Sequence, residues 1–208
     1  MNCPSCNSKS NERLIKIDVK YYQCEYCLTL FSGELPNDNM VGGGMELERN
    51  KQQNKGRLNR FLHLVGSGAK ILDFGCGNGM LVDFLKENNI NIYGYDKYNP
   101  KFDVVRSFNY DLISMVEVIE HLSHPFKELE HIHWLLKKDG ILYIETSFVD
   151  IAFEEELKLE DFFYINPQVG HSTIFSHMGL DILMIKNGFL PLNHINRNVR
   201  LYKKATTN

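Results

Sequence analysis

A glycine-rich turn between two regular elements constrains the fold of this chain more than any other feature. The segment Lys70–Phe74 is a short apolar run typical of a buried strand, and Met80–Asn88 has the apolar spacing of a helix. Three glycines stand between them, at positions 75, 77 and 79. Because glycine has no Cβ, the backbone there can turn sharply or approach a ligand closely. A second strand, Ile90–Tyr95, follows the helix, and this strand–helix–strand order indicates a parallel sheet.

The same alternation continues along most of the chain. Further elements are predicted as strands over Tyr110–Val116, Gly140–Glu145, Leu190–Ile195 and Val199–Tyr202 and as helices over Pro125–Leu136 and Ser176–Asn187. A charged segment at 45–66 has one apolar face and predicts a helix before the sheet, whereas 148–172 is predicted to be irregular. We therefore predict an α/β fold over residues 45–208, with a doubly wound, Rossmann-like sheet.

The acid that follows the second strand indicates what the glycine turn binds. Asp96 lies 19 residues after Gly77, where a carboxylate can accept both hydroxyls of a ribose. A dinucleotide-binding turn would need glycine or alanine at position 80, where this chain has Met80. Asp73 also suits a cofactor with a positive amino group better than one with a pyrophosphate. The structural alternative is a tight turn that binds no ligand.

Four segments in order resemble one family. The run from Ile71 to Gly79, then Gly94-Tyr95-Asp96, Asp111-Leu112-Ile113 and the run from Glu117 to Leu122 are similar to the small-molecule type of class I S-adenosylmethionine-dependent methyltransferases. The resemblance implies S-adenosylmethionine as the cofactor. It assigns the methionine end to Asp73, Gly75, Cys76, Gly77, Asn78, Gly79, Val116 and Glu117, and the ribose to Asp96 with Lys97 beside it.

The stretch after Asp96 departs from that family. About 14 residues separate Asp96 from Tyr110, where the family usually has a helix and a third strand. We expect Phe102–Val105 to be the remnant of that strand, and no residue is assigned to the adenine. A cofactor-binding scaffold without turnover is therefore one alternative function.

Four of the five cysteines form two close pairs near the N-terminus. Cys3 and Cys6 make one C-x-x-C pair, and Cys24 and Cys27 make another after 17 intervening residues. This spacing predicts a zinc-ribbon-like module over residues 1–33, the ribbon, which holds a structural zinc with four thiolates and is followed by a linker at 34–44. A redox dithiol and unbound cysteines are the alternatives.

The acceptor side of the reaction is expected in the variable region after the fifth strand of the sheet. His171 follows a glycine in a predicted loop and is the first candidate for a base or an orienting group, although it can equally cap the following helix or pack structurally. His124 is the second candidate, with a plain loop position as its alternative.

Composition limits the partners. The net charge of −3 disfavours general nucleic-acid binding, and no apolar run is long enough for a membrane span. Without an N-terminal signal pattern, and with an odd cysteine count, the chain is expected to be cytoplasmic. We expect a small or carrier-bound acceptor such as a sugar, with an RNA or protein acceptor docked by the zinc ribbon as the alternative. The oligomeric state is not determined by the sequence.

Overall fold

The computed structural model describes residues 1–33, 47–105 and 108–205; the predicted linker at 34–44 lies outside the described residues. Its main sheet has six strands in the order β5-β4-β6-β7-β10-β9. The strands are β4 (Ile71–Phe74), β5 (Ile92–Tyr95), β6 (Tyr110–Val116), β7 (Leu136–Glu145), β9 (Phe189–Pro191) and β10 (Val199–Lys204). Strands β4 to β7 run parallel, and β10 pairs antiparallel with both β7 and β9.

Helices cover both faces of this sheet. They are α1 (Leu47–Val65), α2 (Met80–Glu87), α3 (Pro125–Leu135), α4 (Val149–Glu154) and α5 (His177–Lys186). One apolar core joins the sheet to α1 and α2 through residues such as Phe61 and Leu85, and the other joins it to α3 and α5 through residues such as Leu129 and Leu183. The predicted doubly wound α/β fold is thus confirmed. None of the described helices is long and apolar enough to cross a membrane.

The N-terminal residues build a second, smaller sheet. Its strands are β1 (Ser10–Lys16), β2 (Val19–Cys24) and β3 (Leu30–Ser32), and the fourth is β8 (Thr173–Ile174), which pairs antiparallel with β3. The N-terminal segment therefore shares a sheet with residues that lie some 140 positions later in the chain.

Several local predictions differ from the structure. Phe102–Val105, all described, forms no strand; Phe102 is instead buried beneath the glycine turn. Lys137–Asp139 is predicted as a loop but lies within β7. The pairing with β6 is irregular there, since Tyr110 pairs with Leu136 and Leu112 pairs with Ile141, so β7 has three more residues than β6 between the two pairs. The region 148–172 contains α4, and β9 ends at Pro191 rather than extending to residue 195.

Candidate functional site

The glycine turn follows β4 at the carboxyl edge of the sheet. Gly75, Gly77 and Gly79 all have positive φ angles, of 77°, 54° and 84°. Residues with a Cβ rarely adopt this backbone conformation. A Cβ on Gly75 would lie 2.5 Å from Val118, and one on Gly79 would lie 2.6 Å from Phe102. The turn is therefore closely packed from below, and its geometry requires glycine at both positions.

Asp96 holds the same turn from the end of β5. The Gly77 amide donates to Asp96 Oδ2 at 2.8 Å, and the Tyr98 amide donates to Oδ1 at 2.9 Å. The Asn99 side chain donates to the Gly77 carbonyl at 2.7 Å. A carboxylate offers about four lone-pair sites, so Asp96 keeps acceptor capacity for two ribose hydroxyls. Lys97 beside it is exposed, with Nζ 5.1 Å from the Tyr98 ring centroid.

Asp73 is buried at the end of β4, next to β6. Ser114 Oγ donates to Asp73 Oδ1 at 2.8 Å. Burial raises the pKa of Asp73 to about 6, although the Ser114 hydrogen bond and the positive charge of Arg57 oppose the shift. A cofactor ammonium would favour the ionised form of this carboxyl, and the residues present fit such a group.

Arg57 is a buried cation near Asp73 that sequence analysis missed. Its guanidinium donates to both carboxylate oxygens of Glu145, at 2.8 and 3.2 Å, and to Asn54 at 2.8 Å. Burial alone would raise the pKa of Glu145, but the Arg57 hydrogen bonds bring it below its usual value. The signal in the sequence was its position on α1, four residues before the buried Phe61, which places Arg57 on the core-facing side.

A second group of polar side chains lies at the carboxyl end of β6. Tyr164 donates to Glu120 in a very short hydrogen bond and also lies 2.9 Å from Glu117 Oε2. Thr146 Oγ1 donates to the other oxygen of Glu120 at 3.0 Å. Glu120 is fully buried, and burial raises its pKa. Glu117 is exposed at the surface, but the neighbouring protein removes part of its water and the nearby Glu120 carboxylate repels its charge, and both effects raise the pKa of Glu117. A single tyrosine proton cannot satisfy two carboxylates, so the pair holds a proton readily.

Two histidines complete this group. His171 Nδ1 lies 2.7 Å from the Tyr164 carbonyl and His121 Nδ1 lies 3.1 Å from the Gly170 carbonyl, so each Nδ1–H donates to the backbone and each Nε2 keeps its lone pair. The centroids of the His121 and His171 rings are 4.8 Å apart. Burial lowers the pKa of His171 to about 4, which keeps the ring neutral near pH 7. Ligand atoms of Glu120, His121 and His171 all lie within 4.8 Å of one another, a spacing that can also hold a metal ion.

We call Glu117, Glu120, His121, Tyr164 and His171 the acceptor-side cluster, after the role that we propose for it. Glu117, which the resemblance assigns to the methionine side of the cofactor, is thus a member of this cluster. The cluster is next to the predicted cofactor turn, because Val118 lies between its first two acids and packs against Gly75. Of these residues, Glu120, Tyr164 and any role for His121 beyond a structural hydrogen bond were not anticipated. The sequence does carry one signal, since the acids and His121 directly follow the predicted strand Tyr110–Val116. In the structure this position forms the short 3₁₀ helix Ile119–His121.

The other predicted site residues have separate positions. Val116 is half-buried as the last residue of β6, and Asn78 is exposed on the turn. Cys76 is buried, and a Cβ on Gly94 would meet its Sγ at 2.8 Å. His124 is exposed immediately before α3. Roles for these residues stay predictions.

The four N-terminal cysteines converge as their spacing predicts. Cys3 and Cys27 sulfurs are 3.5 Å apart, and Cys6 lies 3.4 Å from Cys24 and 3.6 Å from Cys27. All four are free thiols whose sulfurs lie within 4.8 Å of one another. A tetrahedron with Zn–S bonds of about 2.3 Å has edges of about 3.8 Å, so the geometry fits a zinc ion.

Comparisons with known proteins agree with this architecture. A family profile described as a methyltransferase domain matches residues 47–193. A ubiquinone biosynthesis O-methyltransferase of Actinobacillus pleuropneumoniae is 26% identical over 107 residues, which cover 38% of this chain and 46% of the relative. A tRNA U34 carboxymethyltransferase of Campylobacter jejuni is 25% identical over 104 residues, with 38% and 36% covered. This chain spans about half the length or less of these relatives.

Solved structures show the same fold at low sequence identity. The 1,6-didemethyltoxoflavin-N1-methyltransferase of Burkholderia thailandensis, bound to 1,6-didemethyltoxoflavin and S-adenosylhomocysteine, has a TM-score of 0.59 and 13% identity, with 94% of this chain and all of that chain covered. An S-adenosylmethionine-bound amino pentose methyltransferase of Micromonospora echinaspora has a TM-score of 0.56 and 12% identity, with 79% and 93% covered. Since the profile covers well over half of the sequence, the chain belongs to the methyltransferase-domain family, and the class I methyltransferase fold predicted from its glycine turn is confirmed.

Proposed function

We propose that this chain transfers a methyl group from S-adenosylmethionine to an O–H or N–H group of a small metabolite. The observation that carries this proposal is the position of the acceptor-side cluster beside the glycine turn, linked by the contact between Val118 and Gly75. Methyl transfer from a sulfonium is an in-line displacement, so the protein must align two molecules, exclude water and receive one proton. The two halves of this site supply those functions separately.

The cofactor half consists of Asp73, the glycine turn and Asp96. Asp96 would accept the ribose hydroxyls, and Asp73 would pair with the methionine ammonium. The glycines would let the cofactor lie close to the backbone of the turn and to the first turn of α2.

The acceptor half supplies the proton chemistry. His171 Nε2 has a free lone pair, because its Nδ1–H is donated to the Tyr164 carbonyl. As the new bond forms between the methyl carbon and the acceptor oxygen or nitrogen, His171 would take the proton that the acceptor loses. The proton can then pass from His171 to the carboxyl pair of Glu117 and Glu120, which Tyr164 connects by hydrogen bonds.

The same atoms support a second arrangement. A divalent cation between Glu120, His121 and His171 would bind an acceptor hydroxyl and favour its ionised form. The two arrangements differ in a simple measurement, because only the second makes methyl transfer depend on added Mg²⁺ or Mn²⁺.

A nucleic-acid acceptor is less well supported. The ribbon carries a few basic residues, but Lys16 donates to the Phe162 carbonyl at 3.0 Å and Lys20 pairs with Glu12 at 3.0 Å. Both lysines therefore already have partners within the protein. The structural ribbon zinc is likewise a proposal, supported by the fit of the four sulfurs.

The test uses the zinc-loaded full chain with isotopically labelled S-adenosylmethionine and a panel of phenols, catechols and amino sugars, offered free and attached to a carrier. We expect labelled methyl on one acceptor class and a loss of at least a hundredfold in rate for Glu120→Gln, with S-adenosylhomocysteine binding retained. A folded, zinc-loaded chain that does not bind S-adenosylhomocysteine would exclude the proposal. Binding without labelling of any acceptor would favour the scaffold hypothesis.

A further inference from the structure

Residues 171–176, which we call the His171 segment, lie between the ribbon and the other residues of the acceptor-side cluster. On the cluster side, the Ser172 amide and hydroxyl both donate to the Glu120 carbonyl, each at 3.1 Å. On the ribbon side, the Ser32 amide donates to the Ser172 carbonyl at 2.7 Å, and Phe31 is paired with Thr173. The His171 segment is thus hydrogen-bonded to both neighbours at once.

Tyr21 makes the most direct ribbon contact with this segment. Its side chain is fully buried, and its hydroxyl donates to the His171 carbonyl at 2.7 Å. Tyr21, Leu14 and Leu30 of the ribbon belong to one apolar core with Phe162 and Tyr164. The ribbon is therefore hydrogen-bonded to the backbone of His171 and shares an apolar core with Tyr164, whose carbonyl orients the His171 ring.

The cysteine end of the ribbon fixes the far end of the same segment. Ser176 donates a very short hydrogen bond to the Cys27 carbonyl, and its amide donates to Thr29 Oγ1 at 3.3 Å. At Gly179 an added Cβ would lie 1.9 Å from Thr29 Oγ1 and 3.2 Å from Cys27 Sγ, so α5 packs directly on the second cysteine pair. Residues 171 to 176 are therefore held at one end by Tyr21 and at the other by a cysteine loop.

We propose that the ribbon positions the acceptor side of the site, with Tyr21 as a positioning residue that places His171 against Glu120. This inference rests on the proposed function of the cluster and assigns the ribbon a role within the site rather than on a separate surface. The ribbon contacts named above all reach residues 162 to 179, whereas the cofactor turn is held by β5 and Asp96. The ribbon and its metal should therefore control the acceptor half and leave the cofactor half intact.

The test compares the wild-type chain with Tyr21→Phe, which keeps the buried ring and removes only the hydroxyl. Tyr22→Phe is the matched control, since it removes a hydroxyl from the adjacent residue, whose ring lies beside Phe31. Thr29→Val provides a second route to the same segment if Tyr21→Phe folds poorly. Hydrogen–deuterium exchange, S-adenosylhomocysteine titration and methyl-transfer kinetics are measured on the full zinc-loaded chain.

We expect Tyr21→Phe to speed amide exchange over 171–174 at least tenfold while exchange in β4 and β6 stays unchanged. The dissociation constant of S-adenosylhomocysteine should stay within twofold of wild type, and KM for the acceptor should rise at least fivefold. Tyr22→Phe should match wild type in each measurement. Unchanged exchange over 171–174 in both Tyr21→Phe and Thr29→Val would overturn the inference, as would equal acceleration throughout the main sheet. If the wild type transfers no methyl group, the proposed function fails, whereas the exchange result still decides whether the ribbon positions this segment.

Discussion

Replacement of Asp96 by alanine should weaken cofactor binding strongly while the fold is preserved. In the structure Asp96 accepts the Gly77 and Tyr98 amides, and it would also accept the ribose hydroxyls of a bound cofactor. The substitution therefore removes the ribose acceptor and one restraint on the glycine turn. Loss of a charged hydrogen-bonding partner of this kind costs about 1 to 3 kcal/mol. This corresponds to an increase of about 5- to 150-fold in the dissociation constant.

The assay is isothermal titration with S-adenosylhomocysteine, together with thermal unfolding of each variant without ligand. Asp83→Ala is the matched control, because Asp83 is an exposed acid on α2 whose ion pair with Lys101 spans 3.7 Å. We expect this control to bind within twofold of wild type. A well-folded Asp96→Ala chain that also binds within twofold would show that the ribose lies elsewhere and that the carboxylate serves only the turn.

Three further outcomes follow from the geometry. Because burial raises the pKa of Asp73 to about 6, only about a tenth of the folded molecules carry the ionised carboxylate at pH 5. Binding of S-adenosylhomocysteine, measured by titration, should therefore tighten about tenfold from pH 5 to pH 7, and Asp73→Asn should abolish that dependence. Tyr164→Phe should leave cofactor affinity unchanged but lower the methyl-transfer rate at least tenfold, and equal rates would remove Tyr164 from the acceptor side. Elemental analysis should find about one zinc per chain, lost in Cys24→Ser with a lower melting temperature; a metal-free wild type of equal stability would contradict the structural zinc site.

The Asp73 shift also has a sign for stability. The folded chain holds this proton more tightly than the unfolded chain, whose aspartate pKa is near 3.9. The contribution of this carboxyl to stability is therefore fully present below about pH 4 and is lost as the pH rises through about 6. Asp73→Asn should show a flatter dependence of unfolding free energy on pH over that window.

The local sequence was sufficient for the sheet and the cofactor turn. The apolar strand, the three glycines and Asp96 lie within 26 consecutive residues, and short-range backbone preferences place them at one edge of a parallel sheet. The missing strand after Asp96 shows the limit of that inference. The sequence shows that this segment is short and predicts a strand remnant at Phe102–Val105, whereas in the structure Phe102 packs against Gly79 and forms no strand.

The acceptor-side cluster could not be derived in the same way, because the residues of this proposed site come from distant parts of the chain. Glu120 and Tyr164 are 44 residues apart, and Tyr21 reaches His171 over 150 residues. The sequence predicts His171 from its position in a loop, but only the tertiary structure places it beside the Tyr164 carbonyl that fixes its tautomer.

Sequence alone determined which residues are able to form the glycine turn and the cysteine tetrad, since both depend on fixed short spacings. Tertiary structure decided that the ribbon shares one sheet with the residues after His171, through the pairing of β3 with β8, and one apolar core with Tyr164. The physical reason is that pairing between distant segments depends on how their apolar faces are buried together. No local pattern in either segment encodes that partner.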